Sequence, residues 1–492
     1  MNNKSISKNV IFKFILNIFN IIIPILVGPY IARVFNPDLL GQVNLAESYI
    51  GYFYIFATFG IYQYGLREIS KVRHNKDKLS SVFTSLFIIT IITNIVTTLA
   101  YIIFINFKFG GEASYSTFLI LSFNLISNIF YTEWANEALE NYDFITIKTI
   151  VVRILYVVLL LALVKGASDF NTYLWLLVLS NILNYAISFF YIKKSIPFRF
   201  KNIEIFKHIK PMFLVVVLSN SAILFTQLDK VMIGDYINEA SVSFYYMAQR
   251  IMTIISTMTL TVIHVTIPRL TNYSEQNEDN YIGLLNKISK VYFCFLFPAA
   301  VGMFVLSPEI IKIYGGDKYL SAIYPMAAFA LYMIVTGVEG ILSNQIIYVK
   351  RKEKNQVIMI FGCGIVNLIM NNLLIKFNIF TPTTAIITTM ISYIIVVVCE
   401  YIFIKYSMKV NFKIFSFDKM KYLYISLLFI PITLLIRLFV NNFLIIAILG
   451  VVINGLVYLT VLFLTKDEIF LMLINKFLLK GKALRIRRGK NE

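Results

Sequence analysis

The chain has 492 residues, of which 58% are hydrophobic and 14% are charged, with a formal net charge of +19 and a mean hydropathy of +0.75. Soluble globular proteins are about 45–50% apolar and about 25% charged, so this composition excludes a soluble enzyme. The apolar residues form blocks of about 20 residues, the length that a helix needs to cross a bilayer. Between them, no polar stretch is long enough to fold as a separate domain.

Fourteen apolar segments follow one another along the chain, and each is predicted to be one transmembrane helix because lipid offers the backbone no hydrogen-bonding partner. Their approximate bounds are 10–33, 38–65, 80–106, 115–139, 146–165, 171–192, 211–235, 240–268, 287–306, 320–348, 355–376, 383–405, 421–440 and 443–464. The predicted fold class is therefore an all-α integral membrane protein with about 14 transmembrane helices.

The connections between these segments alternate in charge. Lys and Arg are concentrated after spans two, six, ten and twelve, whereas residues 235–241 contain neither and residues 106–114 contain only Lys108. The C-terminal tail adds Lys476, Lys480, Lys482, Arg485, Arg487, Arg488 and Lys490. By the positive-inside rule, both termini are expected in the cytoplasm. The positive net charge is thereby assigned to cytoplasmic loops and not to nucleic-acid binding.

A weak internal repeat appears at an offset of 202 residues. Residues 34–46 align with residues 236–248, so that Glu47 corresponds to Gln249. Because the first and seventh spans run in the same direction, the repeat predicts two pseudo-symmetric six-helix lobes, a transporter architecture. The predicted divisions are an N-lobe at 1–208, a C-lobe at 209–410, and two extra helices with a basic cytoplasmic tail at 411–492.

Four cations stand out within predicted spans, where an unpaired charge is costly and usually faces a cavity or another charge: Lys13, Arg153, Lys230 and Arg250. Lys13 lies about one turn from the cytoplasmic end of its span and is expected to extend to the membrane surface. Lys230 and Arg250 lie on consecutive spans, and together with Arg153 they are candidates for a cationic, substrate-binding cavity that also includes Asp229. Two alternatives stay open. Arg153 could extend to the membrane surface or pair with an acidic residue of span four, and Asp229 could form a purely structural pair with Arg250.

Among the acidic residues within spans, Glu47 lies near the middle of span two and is the candidate for a carboxylate that binds a coupling ion, H⁺ or Na⁺. The alternative is a neutral, hydrogen-bonded acid between helices. The three cysteines, Cys294, Cys363 and Cys399, lie in apolar blocks without metal-ligand spacing. Nucleotide-binding and hydrolase motifs are also absent, so we expect no metal, no cofactor and no enzymatic activity.

Several motifs closely resemble the Wzx-type polysaccharide flippases, which belong to the multidrug/oligosaccharidyl-lipid/polysaccharide exporter superfamily. The segments that carry the resemblance are GQVNLAESY at 41–49, YGLREI at 64–69, QLDKVMIG at 227–234 and the Pro-Arg pair at 268–269. The similarity extends over almost the whole chain and is most specific in residues 1–275.

The resemblance implies a flippase that moves undecaprenyl-diphosphate-linked oligosaccharide repeat units across the bacterial cytoplasmic membrane, for surface polysaccharide of the capsule or O-antigen type. It implies alternating access driven by an ion gradient, with the bilayer and a polysaccharide polymerase as partners. Two other classes stay open. A multidrug cation antiporter of the same superfamily would need an acidic cavity, and a membrane-embedded polymerase or ligase would need a longer external loop.

Overall fold

The computed structural model describes residues 6–219 and 221–472, so the basic residues of the C-terminal tail lie outside the described residues. Over these two ranges the chain forms helices joined by turns, and they contain no β-strand. This confirms the predicted all-α fold class.

The helices up to residue 200 are α1 (Ile6–Val34), α2 (Pro37–Thr58), α3 (Ile61–Val72), α4 (Lys76–Phe109), α5 (Tyr115–Ser127), α6 (Glu133–Ala138), α7 (Tyr142–Leu163) and α8 (Phe170–Ser195). They are followed by α9 (Ile205–Ser219), α10 (Ser221–Tyr236), α11 (Glu239–Gln276), α12 (Glu278–Val305), α13 (Ser307–Gly315) and α14 (Ile323–Ile341). The last are α15 (Glu353–Lys376), α16 (Pro382–Ile402), α17 (Phe417–Ser426), α18 (Phe429–Phe439) and α19 (Phe443–Leu464).

Within the described ranges, 11 helical segments are long and apolar enough to cross a membrane. They correspond to α1, α4, α7, α8, α11, α12, α14, α15, α16, the α17–α18 pair and α19. The other three predicted spans correspond to α2, α5 and the α9–α10 pair. With 22 residues, α2 is long enough but too polar to count as a span by itself. The helices α5, α9 and α10 are each shorter than the roughly 20 residues of a full span.

The length of α2 is determined by local chemistry at both ends. The Asn36 side chain accepts a hydrogen bond from the Leu39 backbone N–H at 3.0 Å and so caps the first turn. At the other end, Phe59 (φ 45°) and Gly60 (φ 71°) take left-handed conformations that stop the helix. The predicted segment 38–65 therefore contains the whole of α2 and only the start of α3.

The predicted segment 115–139 is also divided, because α5 is followed by a 3₁₀ turn and then by the short helix α6. Side chains from other helices satisfy the polar groups at this break. The Tyr54 hydroxyl donates to the Asn124 carbonyl at 2.9 Å, and the Asn128 amide donates to the Asn94 side-chain oxygen at 2.9 Å. An interrupted helix is tolerated inside a membrane protein when its freed backbone groups find such partners.

The chain divides into two compact units. The first contains Met1–Tyr246 and Ile375–Pro382, and the second contains Met247–Leu374 and Thr383–Glu492. The domain boundaries predicted from the internal repeat, after residues 208 and 410, stay a prediction.

Candidate functional site

Glycines bring three helices of the first unit into close contact. A Cβ atom added at Gly41 in α2 would lie 1.9 Å from the carbonyl oxygen of Glu239, the first residue of α11. One added at Gly234 in α10 would lie 2.4 Å from the Leu45 side chain of α2. Small residues at such positions let helix backbones approach closely in membranes. The central part of α2 therefore packs against α10, which carries two of the predicted site residues.

Asp229 and Lys230, both on α10, are buried in the first unit. Asp229 accepts a hydrogen bond from the Tyr245 hydroxyl at 2.7 Å, and the Lys230 ammonium lies 5.4 Å from the centroid of the Tyr246 ring. The carboxylates that act electrostatically on this ammonium are those of Glu47 and Asp229. The structure thus brings three predicted residues into one charged cluster, which we call the α2–α10 cluster: Glu47, Asp229 and Lys230.

Glu47 is exposed on α2, although the residues on either side of it in the sequence are buried. Its charge acts on Lys230, on Tyr54 two helical turns further along α2, and on Tyr156 of α7. Electrostatic interactions thus link the Glu47 carboxylate to side chains of α2, α7 and α10. Its predicted role in ion binding stays a prediction.

Arg153 is half-buried on α7. It precedes Tyr156 by three residues, and residues with this spacing lie on the same face of a helix. The Glu47 charge acts on Tyr156. The place of Arg153 in a cationic cavity stays a prediction.

Lys148 was not among the predicted site residues, yet it is a buried cation of α7. Its ammonium forms an ion pair with Glu133 and donates to the Ser188 hydroxyl at 2.8 Å and to the Asn184 carbonyl at 3.1 Å. This group joins α6, α7 and α8. Since the cation has both a counter-ion and further acceptors, we assign it to structural stabilisation.

Arg250 is half-buried on α11, four residues beyond the point where the first unit ends. In the second unit its charge acts on Tyr314 of α13. Asp229 and Lys230 belong to the first unit, so the predicted cationic cavity draws residues from both compact units. Its formation by residues of the two units stays a prediction.

A cavity of about 590 Å³ lies beside the contact of α2 with the start of α11, and carboxylates and one ammonium line it. Lys108 pairs with Asp235 at 2.6 Å, and the Tyr49 hydroxyl donates to the same carboxylate at 2.7 Å. Lys108, the one cation of residues 106–114, therefore joins α4 to α10. In the described part of the chain, no group of three or more His, Cys, Asp or Glu residues is arranged to hold a metal ion.

Eleven apolar helical segments of spanning length in the described residues define a polytopic membrane protein. Residues 6–274 match the family model described as "Polysaccharide biosynthesis protein". This match covers more than half of the chain, and the chain belongs to that family.

Two curated relatives carry the name putative O-antigen transporter. The one from Escherichia coli (strain K12) is 26% identical over 170 residues, which is 34% of this chain and 40% of the relative. The chain therefore matches about two-fifths of the length of that protein. The one from Shigella dysenteriae is 21% identical over 354 residues, which is 70% of this chain and 87% of the relative.

Solved structures with the same fold include the lipid II flippase MurJ in an inward closed conformation, with a TM-score of 0.70 and 18% identity over 96% of this chain and 100% of MurJ. An inward-facing MATE-family multidrug resistance transporter of the MOP superfamily has a TM-score of 0.59 and 13% identity, over 80% of this chain and 96% of its own. The family match confirms the predicted relationship to polysaccharide biosynthesis proteins. The two curated relatives are named as transporters and not as enzymes, and the solved structures show the same fold.

Proposed function

We propose that the chain is a flippase that moves undecaprenyl-diphosphate-linked oligosaccharide repeat units from the cytoplasmic to the outer leaflet. The units would then be available to a polymerase that makes capsule or O-antigen-type polysaccharide. The family assignment, the names of the two curated relatives and the fold shared with a lipid II flippase support this proposal. We place the protein in the bacterial cytoplasmic membrane with both termini in the cytoplasm, on the basis of loop charge.

The observation that carries the proposal is the buried Lys230 ammonium in the α2–α10 cluster. A cation in the interior of a membrane protein is costly unless it meets an anion or water, and a diphosphate is an anion that several cations can bind through charge-assisted hydrogen bonds. Arg153 on α7 and Arg250 on α11 would contribute further positive charge to the same ligand. In an exporter of cationic drugs, these cations would repel the substrate.

Glu47 supplies a physical link between ion binding and substrate binding. Its carboxylate and the substrate diphosphate are both anions that interact with Lys230, so they compete for the same ammonium. When Glu47 takes up H⁺ or Na⁺, its negative charge is neutralised and the ammonium becomes available to the diphosphate. Release of the ion would then favour release of the substrate, which couples transport to the ion gradient.

The proposal is tested with the purified full-length protein in liposomes that contain the lipid-linked oligosaccharide extracted from producing cells. Transport is measured as the fraction of glycan that becomes accessible to a reagent added on one side. We expect Lys230→Ala to abolish transport, while the matched control Lys207→Ala, an exposed cation near the start of α9, transports normally. Transport of a cationic dye in place of the glycan would favour the multidrug alternative. Wild-type glycan transport by Lys230→Ala would overturn the assigned site.

A further inference from the structure

The first unit contains a second cavity, of about 430 Å³, which differs in chemistry from the α2–α10 cluster. Four tyrosines from α2, α3, α8 and the connection before α6 line it, together with the polar side chains of Gln63 and Asn128, and its lining contains no charged residue. The tyrosines are Tyr54, Tyr62, Tyr131 and Tyr185. We call it the tyrosine cavity. Its volume lies within the range of about 300–1,000 Å³ that is usual for small-molecule sites.

Two interruptions of the helices create this cavity. The left-handed residues Phe59 and Gly60 separate α2 from α3, and this break allows Tyr54 and Tyr62 to line the same space. The end of α5 and its 3₁₀ turn place Asn128 opposite them. A pair of uninterrupted helices would have filled this space with their own side chains.

The tyrosines are held in place by contacts around the cavity. Tyr131 and Tyr185 pack edge to face with ring centroids 5.4 Å apart. The Tyr54 hydroxyl donates to the Asn124 carbonyl at 2.9 Å, and the Tyr62 hydroxyl donates to Glu137 at 3.1 Å. A site fixed in this way binds a ligand without ordering its own side chains first.

Aromatic rings combined with hydroxyl and amide groups match the chemistry of a sugar. A pyranose presents an apolar C–H face that packs on an aromatic ring, and a rim of hydroxyls that bond with Tyr, Gln and Asn side chains. The uncharged lining offers no counter-ion for a phosphate, and the nearby Glu133 acts electrostatically on Tyr62, Tyr131 and Tyr185. The cavity is therefore suited to a neutral or amine-bearing sugar and unsuited to an acidic one.

The position of the cavity relates it to the α2–α10 cluster. Tyr54 follows Glu47 by seven residues, so the two lie on the same face of α2, about 10 Å apart along the helix axis. Electrostatic interaction between them agrees with this placement. A ligand whose diphosphate meets Lys230 can therefore place a sugar of its glycan in the tyrosine cavity, towards the end of α2 that loop charge assigns to the cytoplasm.

We propose that the tyrosine cavity binds a sugar of the glycan while the diphosphate occupies the α2–α10 cluster. This inference rests on the proposed function and adds a separate saccharide subsite to it. Substrate choice would then be divided, since the cluster recognises the diphosphate that all such lipids share and the cavity recognises the glycan.

The test compares binding of two lipids to the purified full-length protein. One is the lipid-linked oligosaccharide extracted from producing cells, and the other is undecaprenyl diphosphate without sugar. We expect Tyr62→Ala and Gln63→Ala each to weaken binding of the first lipid about tenfold and to leave binding of the second unchanged. The matched control is Tyr324→Ala, an exposed tyrosine of the second unit, which is expected to bind both lipids normally. Tyr131→Phe, which keeps the ring, provides a milder variant that preserves packing.

The outcomes separate the subsite from the function. If the wild-type protein binds both lipids equally, or if Tyr62→Ala and Gln63→Ala weaken both to the same extent, the subsite is wrong and the flippase proposal survives. If the wild-type protein binds neither lipid, the proposed function itself fails. Competition by glycan released from its lipid, seen with the wild-type protein and lost in Tyr62→Ala, would support the subsite directly.

Discussion

Two charged groups of the protein differ in how their charges are satisfied. In the second unit, Arg437 of α18 and Glu309 of α13 form a closed pair, in which the guanidinium donates to the two carboxylate oxygens at 3.0 and 2.7 Å and to the Val305 carbonyl at 2.7 Å. In the first unit, by contrast, Asp229 accepts from the Tyr245 hydroxyl, and two carboxylates act on the single ammonium of Lys230.

The difference indicates what each group does. In an Arg–carboxylate pair with two parallel hydrogen bonds, the donors and acceptors are occupied by each other. Such a pair stabilises the contact between two helices and offers few hydrogen-bonding groups to a ligand. The α2–α10 cluster combines two carboxylates and one ammonium on two helices, which makes its electrostatic balance sensitive to an added ion or anion. Both groups contain buried charges, and the proposed transport cycle requires a change of charge only in the second.

The largest effect on transport is expected from Lys230→Ala. The change removes the ammonium that meets the diphosphate, so glycan export should fall at least about 100-fold, the loss that corresponds to a charge-assisted contact of roughly 3 kcal/mol. Export is measured as surface polysaccharide in cells that lack the native gene. Protein in the membrane fraction should stay near the wild-type amount, and a parallel loss of protein would contradict a role in binding.

Arg437→Ala is expected to cost a free energy comparable to that of Lys230→Ala. Here the cost falls on the stability of the fold and not on ligand binding. The change leaves the Glu309 carboxylate buried without its partner, which costs about 3–5 kcal/mol. Thermal unfolding of the detergent-purified protein should shift clearly downwards. Lys312→Ala, which breaks the partly exposed pair with Asp317, is the matched control and should change stability by less than about 1 kcal/mol. Equal shifts in the two variants would remove the distinction between the closed pair and a surface pair.

Arg250 tests whether the cationic cavity extends beyond the first unit. If Arg250 binds the diphosphate, Arg250→Ala should abolish export without loss of protein. Arg250→Lys should keep part of the export, because the positive charge matters more for this ligand than the two parallel hydrogen bonds that a guanidinium can donate. If Arg250 only pairs with Asp229, the double variant Asp229→Ala with Arg250→Ala should export better than Arg250→Ala alone. That rescue would indicate that Asp229 and Arg250 form a structural pair and do not bind the substrate.

The smallest of these effects is expected from Glu47→Gln. The amide keeps the size of the side chain but can no longer bind and release an ion, so export should fall about tenfold with normal protein abundance. Flipping in liposomes should also lose its dependence on an imposed pH or Na⁺ gradient. Unchanged export, with gradient dependence intact, would remove Glu47 from the coupling mechanism.

The sequence predicted the features that depend on local pattern. Apolar length predicted most of the spans. Charge within predicted spans singled out Glu47, Asp229 and Lys230, because the cost of a charge in a span is a property of each position taken alone. Their roles stay predictions.

The features that the sequence did not predict depend on contacts between distant segments. The break after α5 is stabilised by Tyr54 from α2, which no pattern within residues 115–139 reveals. Lys148 was not singled out from the sequence, and its burial depends on Glu133 and Ser188 on two other helices. The tyrosine cavity likewise exists only where four separate stretches of chain meet.

The close approach of Gly41 to Glu239 has a consequence for biogenesis. Part of the polar surface of α2 contacts α10 and α11, which leave the ribosome long after α2 has reached the membrane, and the first unit is completed only by residues 375–382. Since α2 is not apolar enough to count as a span by itself, its insertion depends on neighbours that do not yet exist when it emerges. We expect α2 to stay within the insertion machinery until α10 has been synthesised. A truncated chain that ends before residue 221 should therefore leave α2 accessible to proteases.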